Sequence, residues 1–319
     1  MDALTFLLDE TKYCQEKYDE LDRLLLAPEI TADVLEVKKL SQKKAYYENV
    51  IKLRKEVLRL SETINAYQKD LEREGDGEYR KLLKEEIDSL KRSSDEACLK
   101  LTSSLEENTL MKLTVVPTED ERKHALLNAY VALAKKLGYK IEKVEDGYLV
   151  FGGARTLSTA NAVHKITGDK SGKIQVAVFP YVKAEEEIDK KDVRVDIFLS
   201  HGKGGQNINK VETAVRLTYL PRNIVVTCQD ERSQLENKKR AYEKLSEAVK
   251  RAALEEAEKI NSKEYEIAVK KGEKVVRVLD FARGVFSDVR GGSTSLEDFL
   301  KGDISALTTA IIINEDVSR

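Results

Sequence analysis

Val50, Leu53, Val57, Leu60, Ile64, Tyr67 and Leu71 recur in steps of three and four, and this spacing commits the first third of the chain to helix packed on helix. The period keeps one apolar stripe on one side of a helix, which a partner helix then buries. Residues 4 to 26 read as one earlier helix through Leu4, Leu7, Leu8, Tyr18, Leu21 and Leu25, ended by Pro28. Gly75-Asp76-Gly77 interrupts the pattern, and Leu83, Ile87, Leu90, Ala97 and Leu101 resume it. Composition agrees: 35% of residues are charged, 6% are aromatic and Trp is absent, a bias of long helices rather than of a large sandwich. The expectation is a helical, coiled-coil-like hairpin or small bundle over residues 1–108, with solvated charge on its outer faces.

After about Asn108 the period changes. Met111 to Val116 is strand-like, Thr118-Glu119-Asp120-Glu121 has capping-box spacing, and the helix it opens should end near Leu137, where Gly138 suits a left-handed position. Tyr139 to Val144, Tyr148 to Phe151 and Gln175 to Phe179 read as strands, making an α+β module over 109–192. From Asp192, Val193, Val195, Ile197 and Leu199 alternate with Arg194, Asp196, Phe198 and Ser200, as in a half-buried strand. Ala214 to Leu220 and Ile224 to Cys228 form a hairpin through Pro221-Arg222-Asn223, and a helix follows from about Ser233 to Ile260, packing through Tyr242, Leu245, Val249 and Ala252. The remainder, Lys274 to Arg319, reads as a strand, loops around Gly284 and Gly291-Gly292, and a terminal helix.

Several functions are set aside. No apolar run approaches the roughly 20 residues of a membrane span, and the start, Met1-Asp2-Ala3-Leu4, carries an acid where a leader carries basic residues. The expectation is a cytoplasmic protein without membrane contact. Cys14, Cys98 and Cys228 are far apart and lack metal-ligand spacing, and His124, His164 and His201 have no helical ligand context. Neither a protein-held metal nor another cofactor is expected.

Chemistry concentrates in Ser200-His201-Gly202-Lys203-Gly204-Gly205-Gln206-Asn207-Ile208-Asn209-Lys210. Three glycines and a lysine between two strands suit a backbone that approaches another molecule closely, without the spacing of a P-loop or dinucleotide fingerprint. Then come Val211-Glu212-Thr213-Ala214-Val215-Arg216-Leu217-Thr218, a strand pair, and Cys228-Gln229-Asp230-Glu231-Arg232-Ser233-Gln234 with Asn237-Lys238. Between His201 and Leu245 there are nine Lys/Arg against five Asp/Glu, while the whole chain is at -2, a local basic surface suited to RNA phosphates. An ordinary solvated helix and hairpin would account for any one of these lysines.

This ordered series resembles the catalytic domain of bacterial class I peptide chain release factors, marked by a Gly-Gly-Gln loop, a strand pair and a Gln-Asp-Glu-Arg-Ser-Gln segment opening a helix. The similarity extends to Ala27-Pro28-Glu29, the Val163-His164 pair and the Leu296 to Leu307 tail. Arg277, Val278, Leu279, Asp280, Asp288 and Arg290 look closest to the branch that reads UGA and UAA. The resemblance implies an α+β multidomain protein: a helical arm over 1–108, a decoding-type module over 109–192 completed by 279–319, and an inserted peptidyl-tRNA hydrolysis domain over 193–278. It implies that Gly204, Gly205 and Gln206 act on the ester, the Gln206 N–H donating to the developing oxyanion, with no protein general base. Lys203, Asn209, Lys210, Arg216, Arg232, Ser233, Gln234 and Lys238 would contact RNA, although Arg232, Ser233 and Gln234 suit helix capping and anchoring equally well. The implied partners are ribosomal RNA, the peptidyl-tRNA, an mRNA stop codon if one is read, and a methyltransferase acting on Gln206.

The reading end departs from the family. The window Val163 to Gln175 holds neither a Pro-x-Thr nor a Ser-Pro-Phe tripeptide and no His-Thr-Ser segment, leaving Thr167, Gly168, Asp169, Lys170 and Ser171 as a shortened, degenerate codon-reading loop without an aromatic residue. Pro117-Thr118-Glu119-Asp120-Glu121 replaces a Gly-Gly-Asp-Glu-Ala segment, and Asn207 and Leu235 stand where histidines are usual. The sequence therefore supports a release factor with altered or absent codon reading, the latter a ribosome-rescue role. A noncatalytic ribosome-binding regulator and a coiled-coil adaptor bearing an RNA-binding module are the alternatives.

Overall fold

The computed structural model describes residues 3–31, 33–75, 77–106, 108–116, 122–168, 171–184, 186–199 and 213–317. The chain divides into two compact units, one of Met1–Tyr181 with Tyr265–Arg319 and one of Val182–Glu264. Among the described residues no helix is long and apolar enough to cross a membrane. The smaller unit begins and ends earlier than the expected 193–278. Residues 276–278 pair in the larger unit's sheet, and the 182–192 segment packs through Ile188 and Glu186 onto the smaller one.

In the larger unit, helices α1 (Ala3–Glu10), α2 (Cys14–Leu25), α3 (Pro28–Thr31), α4 (Val34–Arg73) and α5 (Gly77–Ser104) form the arm. The single helix expected over 4–26 is two. The buried Thr11 hydroxyl donates to the Leu7 carbonyl at 2.7 Å, and the chain passes through a turn before α2. Pro28 opens α3, where its missing N–H costs nothing. The Asp33 carboxylate caps α4 by accepting from the Leu35 and Glu36 amides at 2.9 and 3.1 Å. Val50, Val57 and Leu60 of α4 meet Ala97, Cys98 and Leu101 of α5, so the two helices run antiparallel. All three cysteines are buried free thiols, and burial pushes the Cys98 thiol up to about 11.

The rest of this unit is a sheet in the order β11-β10-β9-β4-β5-β1-β3-β2, covered by helices. Its strands are β1 (Asn108–Val115), β2 (Lys140–Val144), β3 (Gly147–Gly153), β4 (Ala162–Thr167), β5 (Gly172–Pro180), β9 (Val276–Asp280), β10 (Val285–Asp288) and β11 (Gly292–Ser295). The helices are α6 (Lys123–Lys136), α7 (Ala154–Ser158), α9 (Leu296–Leu300) and α10 (Ser305–Val317). Gly138, at φ +75, ends α6: its N–H donates to the Lys135 carbonyl and that of Tyr139 to Ala134. The capping box at Thr118 to Glu121 lies outside the described residues. Where one strand was expected after Lys274 there are three, β9, β10 and β11. β4 pairs parallel with β9, Val163 opposite Val276 through Thr167 opposite Asp280.

At that seam a polar chain is buried in the core. Arg277, 1% exposed, donates from Nε to the Asp288 carboxylate at 2.6 Å, from Nη2 to the Thr159 carbonyl, and from Nη1 to the Tyr130 hydroxyl. Tyr130 in turn bonds His164 Nε2 at 2.6 Å, and His164 Nδ1 meets the Ala162 carbonyl at 3.1 Å. A neutral imidazole protonated at Nδ1 satisfies every group in this chain. Burial, and then the charge of Arg277, hold His164 well below its usual range. Unfolded, His164 takes a proton below about pH 6.5; folded, it does not, so its stabilising share is lost as pH falls through that value. The stability advantage of the wild type over His164→Gln should shrink below pH 6.5 by up to about 1.4 kcal/mol per pH unit. A pH-independent difference in urea unfolding between pH 7 and 5 would contradict this.

Candidate functional site

The smaller unit is built from β6 (Val193–Phe198), β7 (Ala214–Tyr219), β8 (Ile224–Cys228) and the long helix α8 (Gln234–Gly272), of which the residues to Glu264 belong here. Val193, Val215, Leu217, Tyr219 and Cys228 face Ala241, Leu245 and Val249 of the helix. The β7–β8 turn takes Pro221 at its second position and Asn223 at φ 52, a left-handed conformation that Asn tolerates. Arg222 ties the turn to Glu186 and Glu256 at 2.6 Å each. α8 continues twelve residues past the expected Ile260. In the larger unit its last turns place Tyr265, Ala268 and Val269 against Ala177 and Phe179.

Strand register brings the chemistry to one end of this unit. Phe198 lies opposite Ala214 and Val215 opposite Cys228. The 200–212 connection, the Gln229 to Ser233 segment and the start of α8 therefore all leave the sheet at the end away from the Pro221 turn. Lys203, Gly204, Gly205, Gln206, Asn209 and Lys210 lie outside the described residues; the frame around them is described. Ile197 and Leu199, expected on the buried face, are 47% and 40% exposed as β6 runs out toward the connection.

Asn237 holds this frame; the sequence marks it as a member of the ordered series without assigning it a role. Its side chain is fully buried. Nδ2 donates to the Thr213 and Glu231 carbonyls at 2.9 Å each, and Oδ1 accepts from the Glu231 N–H at 2.9 Å. One amide thus ties the base of the loop to the segment before α8. An amide supplies two donors and an acceptor together, which a carboxylate cannot. The signal available in sequence is an Asn in the first turn of a helix, where it helps helix formation little. Asn237→Ala leaves three backbone groups without these partners and should cost about 1–3 kcal/mol. Amide exchange at Glu231, whose N–H loses its acceptor, should rise with it; unchanged exchange there would contradict the clamp.

The other expected contact residues are spread around the same end. Arg216 is exposed, its guanidinium carbon 5.2 Å from the Phe198 ring centroid. Arg232 and Lys238 are exposed and have no ion pair among the described residues. Ser233 immediately precedes α8, and its carbonyl accepts from Asn237 N at 3.0 Å; Gln234 is the first helical residue. Arg240 and Lys244 are engaged with Glu231 and Asp230 at 2.7 and 3.1 Å. The Lys244 hydrogen bond lowers the Asp230 carboxyl below its ordinary range.

The expected codon-reading window is mostly sheet. Residues 163–167 belong to β4 and 172–175 to β5, which leaves 168–171 as the connection. Thr167 closes β4, Gly168 follows at φ +132, and Ser171 is exposed. Asp169 and Lys170 lie outside the described residues.

The family model of the RF-1 domain matches residues 182–290. Peptide chain release factor 1 of Carboxydothermus hydrogenoformans is 28% identical, the alignment covering 98% of this chain and 98% of the relative. That of Geobacillus sp. (strain WCH70) is 29% identical with the same coverage. Each alignment runs over 350 positions against a chain of 319, so these relatives carry residues with no counterpart here. Among solved structures, RF2 of Thermus thermophilus matches at 24% identity and TM-score 0.38, over 96% of each chain. The relatives named are of release factor 1 while the resemblance drawn above was to the UGA- and UAA-reading branch; the matches speak to the family, not to the branch.

Proposed function

We propose that the chain is a member of the bacterial class I peptide chain release factor family, a ribosome-dependent factor that promotes hydrolysis of the peptidyl-tRNA ester in translation termination. The observation that carries this reading is the family match over 182–290, which takes in the Gly204-Gly205-Gln206 sequence and the clamped frame on either side of it. Gly204 and Gly205 give the loop backbone freedom, and the Gln206 N–H donates to the oxyanion that forms as water attacks the ester. The Gln206 side chain shapes the space that admits water. No side chain of the protein serves as general base; RNA and substrate complete the site.

Lys203, Asn209, Lys210, Arg216, Arg232, Ser233, Gln234 and Lys238 face ribosomal RNA and the tRNA end, with charge supplied by the cations left unpaired at this end of the unit. In this reading 1–108 is the arm, 109–181 with 265–319 the decoding-type module, and 182–264 the hydrolysis domain. The factor works in the cytosol without a cofactor, and Gln206 is the target of a glutamine methyltransferase. Codon reading is altered, since 167–171 supplies neither family tripeptide. The ester held in the ribosomal P site, with UAA in the vacant site, should be hydrolysed at catalytic factor concentrations, whereas free peptidyl-tRNA in solution should resist. Equal hydrolysis of both would overturn the dependence on the ribosome.

A further inference from the structure

The shortened connection 168–171 lacks the aromatic with which single-stranded bases are stacked, yet the larger unit brings one beside it from a distant segment. Because β4 and β9 run parallel and in step, Thr167 and Asp280 end together. The chain then enters the turn Phe281 to Gly284, closed by Gly284 at φ +63. Phe281 N donates to the Thr167 carbonyl at 3.2 Å, and a Cβ added to Gly168 would meet the Phe281 Cβ at 3.4 Å. The aromatic therefore sits against the first residues of the codon-side connection, and it is 49% exposed.

The Arg283 side chain is 83% exposed, with its Nε 3.9 Å from the Asp280 carboxylate, and its backbone N–H donates to the same carboxylate at 3.0 Å, which fixes the turn. On the hairpin itself Lys165 lies directly opposite Lys173, both exposed and without an ion pair among the described residues. Like charges across a strand pair repel unless an anion lies between or over them. A single exposed Phe calls for no explanation. An exposed ring beside the β4–β5 connection and two unpaired ammonium groups on that hairpin are together the equipment for a single-stranded RNA: bases stack on rings, phosphates attract the cations.

We propose that Phe281 is the base-stacking residue of the reading end, taking an mRNA base in the vacant site, with Lys165 and Lys173 at the adjoining phosphates. The inference rests on the release-factor reading for the identity of its RNA. Its test uses the full-length protein on ribosomes programmed with a UAA codon carrying 4-thiouridine at its first position. Irradiation should cross-link the uridine to the Phe281 to Arg283 turn. Phe281→Ala should raise the factor concentration for half-maximal release at least ten-fold while leaving the rate at saturation within about two-fold, and Phe281→Tyr should restore the wild-type value.

Release by Phe281→Ala at wild-type concentrations, or Phe281→Tyr failing as badly as Ala, would overturn the stacking role and leave the release reading standing. Cross-linking through the turn without any release would do the reverse. Absence of both cross-link and ribosome binding would sink the two together.

Discussion

Asp288→Ala should destabilise the larger unit by about 3–5 kcal/mol, the cost of leaving a buried guanidinium without its counter-charge. Arg277 and Asp288 are both almost wholly inaccessible, and they join β9 to β10 while Arg277 also reaches Tyr130 of α6 and the Thr159 carbonyl. Burial alone would raise the Asp288 carboxyl. The hydrogen bonds from Arg290 and the charge of Arg277 bring it down to about 2. Its stabilising contribution is present above the unfolded carboxyl's value, about 3.9, and is lost only as pH falls through about 2, so the effect of the substitution should be constant from pH 5 to 8. Asp288→Asn keeps an acceptor without the charge and should lose less than Ala does. Urea midpoints with an unchanged slope would report these losses; a loss below 1 kcal/mol for Ala would mean that the pair is not what holds this seam.

Gly205→Ala should lower the rate of peptide release by about 10²–10³, the range for losing one oxyanion donor. Under the proposed mechanism, catalysis depends on where the Gln206 N–H is carried by the backbone. A Cβ at residue 205 removes conformations open only to glycine, and residue 205 immediately precedes that N–H. Binding to the ribosome draws on Arg216, Arg232, Lys238 and the rest of the chain, so affinity should stay within about three-fold. Single-turnover release at wild-type rate from Gly205→Ala would remove the loop from the mechanism.

Much of this architecture was legible in the sequence, and what was not has particular causes. The α4–α5 hairpin was readable because steps of three and four persist through Leu71 and resume at Leu83. β4 was hidden because its buried face carries His164 between Ala162 and Ile166, so a buried position reads as polar. The end of α8 was misplaced because Asn261-Ser262-Lys263 looks like a terminus, while Tyr265, Ala268 and Val269 have a surface to cover that only the fold reveals. At the candidate site, the Gly-Gly-Gln and Gln-Asp-Glu-Arg-Ser-Gln segments stand out in the chain. The clamp of Asn237 on Thr213 and Glu231 does not, because it depends on three segments meeting at one end of a sheet. The nearness of Phe281 to Thr167 likewise follows from a parallel pairing across more than a hundred residues, which no local pattern announces.

The most direct test of the central claim is the single-turnover release of labelled formyl-methionine from ribosomal complexes carrying UAA, UGA, UAG, a sense codon or no codon in the vacant site, with Gly205→Ala run beside the wild type. The account predicts release at least 100-fold above the spontaneous rate on one or more of these complexes, lowered by about 10²–10³ by the substitution. Stable ribosome binding with no release on any of them would contradict it, and would make the chain a regulator that occupies the factor site.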